Sequence, residues 1–225
     1  KKQQSLALKN TIDSWKKLII KYPSSSYASD AQYLIATIYE NHTGELDKAL
    51  DAYKKSKHSN ARNRITALSS QKLIAYSNKT FTTVEKPFIN LSTRNIEKVT
   101  VRQYWLDIES YFRKGRKLED ICSLDIDLVE ADKTWEHKLP DYKKLHLSET
   151  KLDIPFASSK PGICIIKIES KDYSTTTMVM RSDIDISVRS ADSELIAYAF
   201  DAKSNKPAGG VKILIPDPGK AIATA

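Results

Sequence analysis

Glycine and cysteine are scarce in this chain, and no apolar run is long. Six glycines in 225 residues include no Gly-rich segment able to cradle a phosphate, which argues against a nucleotide loop. The two cysteines, Cys122 and Cys164, do not form a Cys-x-x-Cys pair. His42, His58, His137 and His146 show no metal-ligand spacing near them. No apolar run approaches the roughly 18 to 20 residues that a helix needs to cross a bilayer. An initiator Met and a signal-peptide core are also missing. Lys1-Lys2-Gln3-Gln4 leads straight into a helical pattern, so the first residue reads as a cut. No Ser/His/Asp elbow is present, and Glu109, Glu119 and Asp120 fall in predicted strands or turns without a partnered acid–base set. The expectation is a non-enzyme: no catalytic residue, no cofactor-binding residue, no metal ligand and no cofactor.

Charge is present but uneven. Residues 1–80 hold 14 Lys+Arg against 6 Asp+Glu, the whole of the net +8, while the remainder holds 22 of each sign. A basic segment can serve nucleic acid or an anionic membrane surface. Here Lys16-Lys17, Lys54-Lys55 and Lys57 are spread along helices with apolar faces, which reads as a solvated helix surface. Only Arg62 and Arg64 are arginines in this half, and base readout favours arginine. No nucleic-acid partner is expected.

Apolar residues in this basic half recur with helical spacing. Leu6, Leu8, Ile12, Trp15, Leu18 and Ile19 form the first stripe, stopped at Tyr22-Pro23 because the residue before proline leaves the α region. Ser29 or Asp30 is the expected cap of a second helix carrying Ala31, Leu34, Ile35, Ile38 and Tyr39, which Gly44 ends. Leu46, Ala49, Leu50 and Tyr53 mark a third helix, and Ile65, Leu68, Leu73, Ile74 and Tyr76 a fourth. Gly44, Leu46, Ala49 and Tyr53 match the second-helix spacing of a tetratricopeptide repeat, with Tyr39 as the first-helix aromatic and one extra residue before Gly44. An ordinary α-hairpin is the alternative.

From Thr80 the period changes to 2. Predicted strands are Phe81–Val84, Phe88–Thr93, Lys98–Asp107, Cys122–Leu128, Thr134–Lys138, Lys144–Leu152, Ile163–Glu169, Thr175–Met180, Ile184–Arg189, Leu195–Phe200 and Val211–Ile215. Breakers such as Lys114-Gly115, Leu139-Pro140 and Ser158-Ser159-Lys160-Pro161-Gly162 separate them, the spacing of an antiparallel sandwich. Arg94-Asn95 is read as the turn of a hairpin between the second and third of these strands. Within Lys98–Asp107, Trp105 shares parity with Val99, Val101 and Gln103, which favours it over Tyr104 as the inward, buried aromatic. Cys122 (with Leu124, Ile126 and Leu128) and Cys164 (with Ile166 and Ile168) lie on apolar parities and read as buried small hydrophobes. A disulfide within one sandwich is the alternative, and needs an oxidising compartment. Asp201 and Asp217 read as turn-forming side chains, not calcium ligands. Residues 183–225 supply only three or four strands, too few to close two sheets. That unit is expected to be less ordered or covered by the helices, the first sandwich or a neighbouring copy, with its missing strands following Ala225.

Three pieces together resemble the bacterial alpha-2-macroglobulin-like proteins. They are the Lys86-to-Asp107 segment with its Arg94-Asn95 turn, the Pro161-Gly162 strand with Cys164 where an aromatic is usual, and the segment from Ala199 through Lys206-Pro207 to Ile213. The resemblance covers about residues 80–225. It implies a very large exported protein that traps or inhibits proteases, with a bait region and, in many members, a Cys-x-Glu-Gln thioester. Neither Cys122-Ser123 nor Cys164-Ile165 begins such a motif, so no functional residue is carried over. The expected organisation is α+β and multidomain. Residues 1–78 form tetratricopeptide-like helical hairpins, 79–182 an Ig-like or macroglobulin-like antiparallel β-sandwich, and 183–225 the truncated start of a second. The partners implied are proteins: target proteases through the full-length parent, and one on the helical unit. A membrane enters only through an anchor outside this chain. The location implied is extracytoplasmic, in a bacterial periplasm or cell envelope. The competing reading is a cell-envelope scaffold in which the helices bind a partner and the sandwiches act as spacers.

Overall fold

The structure, a computed structural model, describes residues 2–222 apart from 125, 127–128, 157–159, 192–193, 214 and 218–219. Helices α1 (Lys2–Lys21), α2 (Ser26–Ile38), α3 (Leu46–Lys55) and α4 (Ala61–Ser69) come first, each packed on the next. Leu8, Ile12, Trp15 and Ile19 recur every three or four residues along α1 and join Ile35, Ala49 and Tyr53 in one apolar cluster. Leu6 lies off that stripe and is exposed. Ala36 and Ala49 are fully buried where α2 meets α3, since small side chains let the axes approach.

Ser25, not Ser29 or Asp30, caps α2: its Oγ accepts from the Ala28 amide at 3.1 Å. Ser29 instead ties α2 to the end of α3. Its Oγ accepts from the Lys57 amide at 2.7 Å, and Ser56 Oγ donates to its carbonyl at 2.8 Å. Between α2 and α3 a π turn, Tyr39–Thr43, ends on Gly44 at φ +69°, a conformation glycine adopts without a Cβ penalty. Within that turn Glu40 accepts from Tyr53 Oη at 2.7 Å and from Arg64 Nε at 3.1 Å.

The fourth helix is shorter than its spacing implies. α4 stops at Ser69, and Leu73, Ile74 and Tyr76 lie in strand β1 (Lys72–Tyr76). Leu73 and Ala75 pack into the sandwich while Ile74 and Tyr76 stay exposed, which is period 2. Helix therefore gives way to strand at residues 70–71, not at 77–80, and the expected helical unit 1–78 includes the first strand of the sandwich.

The remaining strands of that sandwich are β2 (Phe88–Arg94), β3 (Lys98–Leu106), β4 (Lys133–Lys138), β5 (Leu147–Asp153), β6 (Gly162–Ser170) and β7 (Tyr173–Arg181). One sheet has the order β1-β2-β5 and the other β4-β3-β6-β7, with every pairing antiparallel. Ile89, Leu91 and Leu152 of the first meet Val99, Val101, Ile166, Ile168 and Val179 of the second in one apolar core. β2 and β3 do not pair with each other. Arg94-Asn95 is not a hairpin turn: it carries the chain from one sheet to the other, with Asn95 at φ +56°. Alternation is identical on the two sides of a hairpin and of a sheet-crossing corner, so the pattern alone does not separate them.

The link after β3 holds helix α5 (Ile108–Arg113) and a 3-10 turn, Leu118–Ser123. Tyr111 and Ile121 of this link cluster with Tyr104 and Ile165 on the outer face of the second sheet. Both faces of β6 are thereby covered, which accounts for its unbroken apolar run Ile163 to Ile166. It also reverses the expectation for the aromatic pair. Tyr104 is 5% exposed beneath the link, whereas Trp105, on the core-facing parity, stands at the open end of the sandwich and is 40% exposed. The strand expected over Cys122–Leu128 is absent at Cys122, which lies in the 3-10 turn and is exposed, not buried; residues 125, 127 and 128 fall outside the described residues, as do Ser158 and Ser159. Phe81–Val84 is not a strand either. Phe81 alone bridges to Arg181, and Glu85 Oε2 closes a turn on the Thr82 amide at 2.8 Å.

Beyond Ser182 come β8 (Ile184–Ala191), β9 (Glu194–Asp201) and β10 (Lys206–Pro207) in a sheet of order β10-β9-β8. Residues 211–213 are not strand. β11 (Ile215–Asp217) and β12 (Lys220–Ile222) form a separate two-stranded pair.

Candidate interaction surfaces

Two polar joints tie the units together. Asn95, at the corner between the sheets, donates through Nδ2 to the carbonyls of Leu68 and Ser70 at 2.8 and 3.0 Å, and its Oδ1 accepts from the Leu145 amide at 2.7 Å. Arg94 Nη1 adds a bond to the Ala67 carbonyl at 2.5 Å. At the other end Asp183 accepts from the Thr83 amide at 2.7 Å, from Thr83 Oγ1 at 2.5 Å and from Lys203 Nζ at 2.8 Å. The Lys203 ammonium and the Thr83 bonds hold the Asp183 carboxyl down at about 2. Below this joint Arg181 donates to the Thr82 and Thr83 carbonyls. None of these partners is adjacent in sequence, and no local motif announces them.

Beside the second joint a cavity of about 1030 Å³ opens between the 83–87 loop, β4 and the segment after β5. Trp135 and Phe156 line it, with Phe156 edge-on to Trp105 at 4.7 Å and the Arg181 guanidinium 5.2 Å over its ring. Lys86, Lys133 and Arg181 on this lining stand against Glu85 and Asp153, a small excess of positive charge.

A second hollow of about 430 Å³ lies in the helical unit. α1 and α3 each pack on α2, leaving a groove between them with Ile35 of α2 at its floor. Lys16 of α1 and Lys48, Asp51 and Lys55 of α3 edge it, and Ile20 on the α1 rim is 80% exposed.

The β8–β9 hairpin is apolar and open. Ile186, Val188, Leu195, Ile196 and Tyr198 are all exposed, and register places Ile186, Val188 and Leu195 on one face with Ile196 and Tyr198 on the other. The helices and first sandwich do not cover this unit among the described residues, contrary to that part of the expectation.

Both thiols are free. Cys164 faces the sandwich core, where burial pushes its thiol up to about 12, and burial raises that of Cys122 as well. Neither is activated as a nucleophile. Glu109 sits on α5 and accepts from Arg113 at 3.0 and 2.7 Å; Glu119 and Asp120 belong to the 3-10 turn, not to a strand. Asp201 accepts from the amides of Lys203 and Ser204, a turn-forming role. Asp217 lies in β11, with its side chain outside the described residues. Among the described residues no three His, Cys, Asp or Glu side chains are grouped to hold a metal, and no helix is long and apolar enough to cross a membrane.

Helices leading into a three-on-four antiparallel sandwich give the chain a macroglobulin-like fold. Two crystal structures of native alpha-2-macroglobulin from Escherichia coli share it. The fragment spanning domains NIE-MG1 aligns with a TM-score of 0.50 and 16% identity, over 68% of this chain and 82% of its own. The fragment spanning MG0-NIE-MG1 aligns with a TM-score of 0.52 and 14% identity, over 68% of this chain and 54% of its own, so this chain spans about half of it. No protein-family model matches the sequence, and no curated protein does.

Proposed function

We propose that this chain is a non-catalytic structural piece of a large alpha-2-macroglobulin-like protease inhibitor, exported to the periplasm or cell envelope of a bacterium. The observation that carries the reading is the sandwich, whose fold is that of the Escherichia coli alpha-2-macroglobulin fragments. The unactivated thiols support an inert role for this segment. In the parent, the sandwich frames the inhibitor while bait and capture chemistry reside elsewhere. Incubating residues 1–225 with a panel of endopeptidases, followed by denaturing mass analysis, tests the inert role. The expected result is no covalent adduct; a stable covalent complex overturns it.

A second reading is favoured by the groove between α1 and α3: the helical unit is a protein-binding module, with α2 and α3 as a tetratricopeptide-like hairpin. The extra residue before Gly44 relative to that repeat fits a π turn, which closes i→i+5 rather than i→i+4. On this reading the sandwiches space the helices from the cell surface.

A further inference from the structure

Resting on the second reading, we propose that the helical groove docks an extended acidic peptide segment that places an aliphatic side chain between α1 and α3. The floor is apolar and recessed: Ile35 and Ala52 are 2% and 5% exposed at its base, with Ile19 and Tyr39 beside them. Its volume of about 430 Å³ lies within the roughly 300–1,000 Å³ typical of ligand clefts. Lys48 on the α3 rim is already committed, paired with Glu45 and lying 5.7 Å from the Tyr39 ring centre. Lys16 and Lys55 differ. They stand on opposite rims, one on α1 and one on α3, and neither has an ion pair among the described residues. Asp51 is the one acid on the lining, set against three lysines, so the rims stay net positive and complement carboxylates flanking an aliphatic residue. The surrounding field has the same sign, because residues 1–80 carry the entire net charge of +8.

Other polyanions fit less well. Base recognition uses arginine and aromatic platforms, whereas this groove has no arginine on its lining and a single aromatic, Tyr39, beside Lys48. The unit's Arg64 is bound to Glu40 on α4's side of the bundle. A flat anionic bilayer meets the lysine rims but does not reach the recessed floor.

The test uses residues 1–225 and three fluorescent peptides of equal length that alternate leucine with glutamate, glutamine or lysine. Fluorescence anisotropy should show the glutamate peptide binding at least about tenfold more tightly than the other two. Its affinity should fall as ionic strength rises from roughly 0.05 to 0.5 M. Reversing both rims with Lys16→Glu and Lys55→Glu should weaken it about tenfold or more, while Lys114→Glu, exposed after α5 and outside the helical unit, should not. Unchanged thermal unfolding of each variant establishes that the fold is intact. Binding of the glutamine peptide as tightly as the glutamate one, lost in Ile20→Asp but not on lysine reversal, overturns the acidic partner and leaves the helical unit a binding module. Binding of none of the three overturns both.

Discussion

Asn95 Nδ2 donates to the Leu68 carbonyl at 2.8 Å, so the residue that turns the chain from one sheet to the other also caps the end of α4. The corner of the sandwich and the mount of the helical unit share this side chain. With the Ser70 and Leu145 bonds, three partners 25 or more residues away converge on it.

Asn95→Gly keeps the φ of +56° accessible but removes those bonds, and should cost about 1–3 kcal/mol in urea unfolding with an unchanged slope. Asn95→Ala loses the same bonds but, unlike glycine, carries a Cβ in the left-handed region, and should cost about 1 kcal/mol more than the glycine variant. Equal stability of Gly and Ala variants would show the corner is not held in that conformation.

Tyr104 and Trp105 should rank opposite to their sizes. Tyr104→Ala empties a covered site and should cost about 3–5 kcal/mol. Trp105→Ala, at the open end, gives up contacts to Phe156 and Gly162 and should cost about 1–2 kcal/mol. Trp105 proving the costlier loss would place the core at the other face.

The Asp183 joint carries a pH signature. Its carboxyl ionises at about 2, below the ordinary aspartate value of about 3.9, so the joint is intact above that ordinary value and is lost as pH falls through about 2. The Thr83 amide shift in NMR should titrate with a midpoint near 2, and Asp183→Asn should abolish that titration. A midpoint near 4 would mean that Lys203 and Thr83 do not hold the carboxylate.

Thiol labelling should separate the two cysteines. In the native state one thiol reacts, that of exposed Cys122, and Cys164 reacts only on unfolding. Cys122→Ser should abolish native labelling. Reaction of both native thiols at similar rates would contradict burial of Cys164 between the sheets.

Strand existence was legible from β2 to β9, by alternation in Lys98–Leu106 and by a short apolar run rich in isoleucine in Gly162–Ser170, while the two- and three-residue strands after Asp201 were too short to show either pattern. β1 was not: five residues, Lys72–Tyr76, satisfy helical spacing as well as period 2, and a preceding helix invites its extension. Pairing was illegible at Arg94-Asn95 because alternation is a property of one strand and partner choice is not. Tyr104 was misassigned because a link 26 residues long, 107–132, folds back over the outer face, and nothing in β3 announces that cover. The groove was half legible. Its lysines and isoleucines stood out as a basic, amphipathic helical half, but which of them meet across α2 depends on the packing of three helices.

The central claim, that this chain belongs to the frame of a protease trap, is tested most directly on the full-length parent protein. It should be mixed with an endopeptidase and assayed in parallel on a large protein substrate and on a small chromogenic peptide. The account predicts that the parent suppresses cleavage of the protein substrate while leaving the small peptide accessible, and that residues 1–225 alone suppress neither. Unimpaired cleavage of the protein substrate in the presence of intact parent would contradict it.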